Sequence, residues 1–475
     1  MKKLFFYAAA AVGMLSACSS SDDFASYDGS KDESREAIKI GVTSVAASVQ
    51  TRGTGTVGGV SDGETVITPN NWDGQNVNVF MFNKGTLDLA CSDINDPTTA
   101  LYENAVMTTP VGAATGEANL ADNEYKYYPP AGAFDFYGYR VDDAADAANA
   151  ALNAEGTAYT IDFTIDGTQD VMRAETELSA DDQAKIADNT NTVTEADIYS
   201  AKAARQKIQP NLLFNHLLSR FTFQVKGGNE NSCPKESDTE DNTTAVKVKS
   251  IKLTSRTNGT LTIAHLPENA PADGQYIAWA EDEAESEGVT GVTTDEGKFL
   301  PFLTLKSRTA TKEVEVEAAE ATEEDGTTVK EGYRKDDATG KYYKTVDDAN
   351  SAITETATVI PNMWVDGASA AKNVGEALLV SPGLDKYTLE VSVEQKVLSH
   401  EAATPTDGDY RVKTNVYTLD ITPDMVVKDG ANGVAAFEAG KSYNVIITVY
   451  GFERIEVSTT LQPWENGGDI EVGQD

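Results

Sequence analysis

Histidine and cysteine are scarce in this chain, with three of each in 475 residues. His216, His265 and His400, with Cys18, Cys91 and Cys233, leave little material for imidazole or thiolate metal sites, or for thiol chemistry. Basic residues are also in deficit: 38 Lys+Arg stand against 76 Asp+Glu, a formal net charge of −38. A field of that sign repels phosphate backbones, and nucleic-acid binding is excluded. EF-hand spacing is missing around Asp142-Asp143, Asp181-Asp182 or Asp347-Asp348. Those acid pairs read as solubilising surface. Gly53-Thr54-Gly55-Thr56-Val57-Gly58 matches G-x-G-x-x-G, but Gly59-Val60-Ser61-Asp62-Gly63 follows it as a loop, where a phosphate-binding fingerprint requires a helix. His216 lies among apolar residues and reads as a hydrogen-bonded core histidine. No enzyme activity and no cofactor are expected.

What is present begins at the start of the chain. Lys2 and Lys3 precede an apolar run from Leu4 to Leu15, too short for a permanent membrane span. Leu15-Ser16-Ala17-Cys18 follows, a small-residue cleavage site that resembles a bacterial lipobox and implies lipidation of Cys18. A polar tether, Ser19 to Asp23, comes next. No later segment has the length of a transmembrane helix. With Cys18 used by lipid, a disulfide between Cys91 and Cys233 stays open, and two unlinked thiols are favoured.

Ile38, Ile40 and Val42 alternate with Lys39 and Gly41, the period of a strand with one apolar face. The chain then changes to Thr51-Arg52-Gly53-Thr54, with little to bury. Further strands are expected at Val77–Phe82, Tyr125–Tyr128, Phe134–Tyr139 and Tyr159–Ile165, from β-branched and aromatic runs bounded by Gly, Pro and Asn. Short helices are expected at about 142–153, 179–188 and 195–207, with Ser179 or Asp182 as N-cap. A second β-rich block starts with Leu212 to Val225. Val246 to Leu253 is expected beside it in one sheet, and strands follow at 387–393, 410–419, 443–450 and 455–461. The acidic stretch 313–350 reads as a solvated hairpin or loop excursion. Many short strands and few helices imply antiparallel sandwiches.

Taken together, these features resemble the fimbrillins, type V pilins of Bacteroidales exported as lipoproteins. The resemblance rests on the lipobox with Cys18, on Arg52, and on Trp72–Phe82, Tyr127-Tyr128-Pro129 with Phe134–Tyr139, Phe214–Phe221, Phe437–Tyr443 and Pro463-Trp464-Glu465. It implies two tandem transthyretin-like antiparallel β-sandwich domains with a few short helices. The divisions are a signal peptide at 1–18, a propeptide with a removable first strand at 19–52, an N-terminal domain at 53–208 and a C-terminal domain at 209–475.

The resemblance further implies cleavage between Arg52 and Gly53 by an arginine-specific surface protease. The first strand is then lost, and a C-terminal strand of another subunit fills the groove. The candidate donors are Ile455, Val457, Thr459 and Leu461, or the tail with Trp464, Ile470 and Val472. Expected partners are other pilin subunits, outer-membrane lipid before cleavage, and the protease. The location is a cell-surface fimbria reached through an outer-membrane lipoprotein precursor. If both C-terminal strands belong to their own domain, the chain is an anchor or accessory subunit. A different reading is a permanently lipid-anchored glycan binder using Trp72, Trp279 or Trp364. Residues 1–52 carry six basic and six acidic side chains, so the entire acidic excess stays with the part beyond Arg52.

Overall fold

The computed structural model describes residues 36–44, 59–62, 65–69, 75–93, 97–109, 116–120, 125–141, 150–187, 193–228, 246–280, 289–306, 311–316, 333–335, 341–347, 358–359, 364–365, 368–369, 371–399, 409–428, 431–462 and 469–470. It is mainly β.

The N-terminal strands are β1 (Ile40–Ser44), β2 (Asn76–Asn83), β3 (Ala105–Thr108), β4 (Gly116–Leu120) and β5 (Phe134–Val141). They are followed by β6 (Ala158–Thr164), β7 (Val171–Thr176) and β8 (Asn211–His216). Seven of these close into a barrel in the order β1-β8-β7-β5-β2-β3-β4, with β4 returning to β1.

The near-continuous apolar runs of β2 and β5 have a physical cause. Val77, Val79 and Met81 point into the barrel, as do Phe134 and Phe136. The alternate residues Phe80, Phe82 and Tyr139 point outward into a second core. A strand buried on both faces loses the apolar/polar alternation.

That second core lies between the strands that follow: β9 (Ser219–Gly227), β10 (Lys247–Thr254), β11 (Asn258–His265), β12 (Ile277–Trp279) and β13 (Phe299–Thr304). The chain continues through β14 (Lys372–Val380), β15 (Tyr387–Leu398), β16 (Tyr410–Ile421), β17 (Val426–Lys428), β18 (Ser442–Gly451), β19 (Arg454–Gln462) and β20 (Asp469–Ile470). One sheet runs β14-β9-β18-β19-β20-β17, a second β13-β10-β15-β16, and a third pairs β12, β11 and β6. Through β6, which is antiparallel to β11, a segment from the N-terminal half enters this layered part. Phe221, Tyr387, Phe437 and Tyr443 pack with ring centroids 5.0–5.4 Å apart. Burial pushes the Tyr443 phenol up to about 12.

Several expectations are corrected. Leu212–Val225 is two strands: β8 closes the barrel and β9 belongs to the layered part, with Leu217 and Leu218 between them. β9 and β10 lie in different sheets, β9 between β14 and β18, and β10 between β13 and β15. Alternation reports which face is buried and says nothing of the neighbour. The sheets are mixed rather than antiparallel throughout, because β1 runs parallel to β8 and β9 parallel to β18. The helix expected to reach 153 does not, since Ala151–Leu152 is an exposed strand paired with β6.

Helix α1 (Ala180–Ala187) starts where expected, with the Asp182 N–H donating to the Ser179 hydroxyl at 3.1 Å. A short α2 (Ala201–Arg205) follows a 3-10 turn at Glu195–Asp197. Strands 311–316, 333–335 and 342–347 pair only with one another among the described residues, as a separate antiparallel excursion. Residues 59–62, expected as a loop, form a strand against 65–69.

Candidate functional site: the seat of the first strand

β1 is the stave that closes the barrel. Gly41–Ser44 run parallel to Asn211–Phe214 on one side, and Ile40–Val42 run antiparallel to Gly116–Ala118 on the other. The alternating side chains expected to share one face do so. Ile38, Ile40 and Val42 are 2%, 0% and 1% exposed, inside the barrel core.

Beyond these two ladders, further backbone ties come from widely separated parts of the sequence. The Ile38 N–H donates to the Lys126 carbonyl (2.9 Å), the Tyr128 N–H to the Glu36 carbonyl (3.0 Å), and the Gly41 N–H to the Pro210 carbonyl (3.0 Å). Gln209 brackets the strand, accepting from the Lys39 N–H at 3.3 Å and donating to the Ala37 carbonyl at 3.1 Å. On the outside, the Arg205 guanidinium meets Glu36 at 3.3 Å and the Lys39 ammonium lies 5.5 Å from the Tyr125 ring centre. Both outer contacts are exposed and contribute little. Under the strand's start, burial pushes the Tyr128 phenol far above its usual range, and Tyr102 and Tyr199 add to it.

Gly41 faces β8, where a Cβ would sit 2.7 Å from the Asn211 Oδ1, the tip of a half-buried side chain that would have to swing aside. Nothing in the local sequence signals this, because the neighbour is 170 residues away. Pairing of β1 with β8 was likewise invisible in the sequence.

The other predicted residues fall elsewhere. Ile455 and Val457 on β19 are buried in the layered core, opposite Val449 and Ile447 of β18. Thr459 and Leu461 continue the same ladder opposite Val445 and Tyr443. β19 is thus an inner strand, flanked on its far side by β17 and β20. Ile470 lies on β20, opposite Thr459 and Val426. Cys18, Arg52, Gly53, Trp464, Val472, Trp72 and Cys233 lie outside the described residues. The Cys91 thiol donates to the Leu89 carbonyl at 3.5 Å.

Trp279 does not offer an open ring. It is half-buried, meets Phe163 edge-on with centroids 5.7 Å apart, and has the Arg256 guanidinium 5.7 Å from its ring centre. Trp364 stands in a two-residue strand paired with Ala368–Ser369.

His216, at the end of β8, is buried with its Nδ1 2.7 Å from the Asp170 Oδ2. The pair sits where the barrel meets the layered part, beside Gly440, whose N–H donates to the Leu218 carbonyl at 2.8 Å. A second tie across this seam was not expected from the sequence. Arg173 of β7, 4% exposed, donates to the Ile263 carbonyl of β11 at 2.8 Å and stacks 3.8 Å from the Tyr276 ring centre. These polar contacts join the two parts.

No family model matches the chain. No curated protein matches it. Among solved structures, it is similar to a candidate cell adhesion protein from Bacteroides uniformis, at 13% identity and a TM-score of 0.36, over 92% of this chain and 100% of that one. It is similar to the fimbrial anchor protein Mfa2 from Porphyromonas gingivalis, at 10% identity and a TM-score of 0.29, over 92% and 100% of the two chains. A fimbrilin from Porphyromonas gingivalis matches at 9% identity and a TM-score of 0.32, over 93% and 100%. Its structural neighbours are therefore fimbrial and cell adhesion proteins of Bacteroidales.

Proposed function

We propose that this chain is a structural fimbrial subunit of the cell surface, built like a fimbrillin from two transthyretin-like units. It is exported as a lipoprotein through Cys18, cut after Arg52 and joined to other copies by strand exchange. The observation that carries the proposal is the seat of β1. A strand eight residues before the Arg52-Gly53 bond closes a barrel with three buried side chains and is tied to strands far away in sequence. Cutting after Arg52 separates that strand from the rest of the chain. Its departure leaves an open edge on β8, an open edge on β4 and an apolar slot between them.

Such an edge is unstable in water, and a strand from another chain restores both the ladder and the burial. Three side chains at about 1.5–3 kcal/mol each give roughly 5–9 kcal/mol before ordering costs. Because β19 is paired with β18 along its length while β20 pairs over two residues, the donor in this scheme is the tail beyond Gln462. A seat on one side and a tail on the other make a head-to-tail contact, which extends into a filament instead of closing. The role is structural, without catalysis or cofactor.

The test is the N-terminus and mass of the protein on cells. Chains beginning at Gly53 in high-mass ladders are expected, and Arg52→Ala should leave an acylated monomer. Ladders of normal length from Arg52→Ala would rule out the cleavage step.

A further inference from the structure

We infer that β16 is a docking edge for a second copy of this chain, and that the segment it receives is the strand Thr311–Val316 of that copy, set with Lys413 opposite Glu315. The contact is lateral and does not involve the seat of β1.

β16 ends its sheet. It pairs with β15 along all twelve residues from Tyr410 to Ile421, and among the described residues no strand lies on its other side. The N–H groups of alternate residues point to that open side. The Val416 N–H is one of them, since it donates to the Asn415 Oδ1 (3.0 Å) and not to β15, and by alternation those of Thr414 and Val412 point the same way. A long edge of this kind is a template for another strand.

The two faces of the edge differ in chemistry. On one, Val412 and Val416 are 54% and 52% exposed, with Thr414 between them. On the other, Tyr417, Leu419 and Ile421 pack on the layered core, while Arg411 and Lys413, farther along the same face, are exposed. A strand that completes this edge alternates apolar residues with acids. Two neighbouring bases on a chain of net charge −38 select an acidic partner and disfavour a basic one.

Thr311–Val316 reads Thr-Lys-Glu-Val-Glu-Val. It is the edge of its own small sheet, paired with Tyr342–Asp347 on one side and, among the described residues, with no strand on the other. Setting Lys413 opposite Glu315 places Val412 and Thr414 opposite Val314 and Val316 whichever way the visiting strand runs. Arg411 then falls opposite Glu313 or diagonal to Glu315. A shift by one residue would set the valines against the bases. Each copy carries one edge of each kind, so the contact is heterologous and can repeat from copy to copy.

The experiment uses full chains with two different tags, co-expressed in cells on an Arg52→Ala background. Denaturing gels show any strand-exchange ladder, and co-capture in mild detergent reads the side contact. Chains with unaltered edges should be captured together. Arg411→Glu/Lys413→Glu in both chains should lower capture about tenfold, and so should Glu313→Lys/Glu315→Lys in both. Mixing one chain of each kind should restore it, because the reversed edge of one meets the reversed strand of the other. That recovery also shows that both variants fold, and it distinguishes pairing between chains from pairing within one. Thr414→Pro removes an N–H on the open side, keeps every charge, and should abolish capture. No capture between unaltered chains, capture indifferent to the reversals, no recovery in the mixture, or full capture with Thr414→Pro would overturn the inference. Ladders report separately on strand exchange: their presence in Arg52→Ala would sink that reading, while the charge pattern of capture still decides this one.

Discussion

Ile40→Ala tests whether β1 is a separable closing strand of the barrel. Ile40 is fully buried, opposite Ala118 of β4 and one residue from the Gly41 tie to Pro210. Shortening a buried isoleucine to alanine costs about 2–5 kcal/mol, through lost transfer energy and the cavity left behind. β1 is a short strand at the start of the described chain, so that loss should appear as local opening of the strand before it appears as global unfolding. At about 1.4 kcal/mol per decade, the open population rises roughly 30-fold to a few thousand-fold. Native-state hydrogen exchange on the full chain measures it at the amides of Ile38 and Gly41, while amides of β15 in the layered core keep their wild-type protection. Lys39→Ala is the control. Lys39 is exposed and its ammonium lies over the Tyr125 ring, a contact worth about 0.5–1 kcal/mol, so the same amides should change a few-fold at most. Exchange within a few-fold of wild type in Ile40→Ala would refute the idea that β1 is held by its buried face. So would equal acceleration across both parts of the molecule.

Two further predictions concern other parts of the chain. The Lys202 ammonium, hydrogen-bonded to Asp197, together with the Thr194 N–H and hydroxyl, holds the Asp197 carboxyl down at about 2. A depressed carboxylate stabilises the fold above its unfolded value, about 3.9, and the contribution is lost as pH falls through about 2; amide shifts at 194–202 followed by NMR should therefore move between pH 4 and 2, and Asp197→Asn should abolish that step. Asp170→Ala removes the buried oxygen 2.7 Å from His216 Nδ1 and should cost about 1–3 kcal/mol in denaturant unfolding, with Asp170→Leu/His216→Phe costing less than Asp170→Ala alone. Equal losses for the single and the paired change would mean the polar contact is not what counts at this seam.

The parts of the fold that were legible in the sequence are those with a one-sided environment. Ile38, Ile40 and Val42 alternate because one face of β1 is core and the other solvent, and β9 shows the same rhythm from Phe221 to Val225. β7 was not legible. Val171, Met172, Arg173 and Ala174 are all buried, so the period of two disappears, and Arg173 hides a core position behind a charged residue name. β13 was masked by Pro301, which argues against a strand interior. The proline is accommodated where pairing with β10 ends, and only its carbonyl is used there, accepting from the Ser255 N–H at 3.0 Å.

The seat of β1 lies between these cases, and the difference is physical. Its occupant could be read from the sequence, since alternation is a local property. Its walls could not, because β8 and β4 are 170 and 76 residues further along, and a barrel is closed by contacts that no window of sequence contains. Gly41 shows the consequence: in isolation it reads as a weak point in a strand, since glycine costs conformational entropy and packs nothing. In the barrel it faces β8, with the Asn211 Oδ1 2.7 Å from where a Cβ would stand.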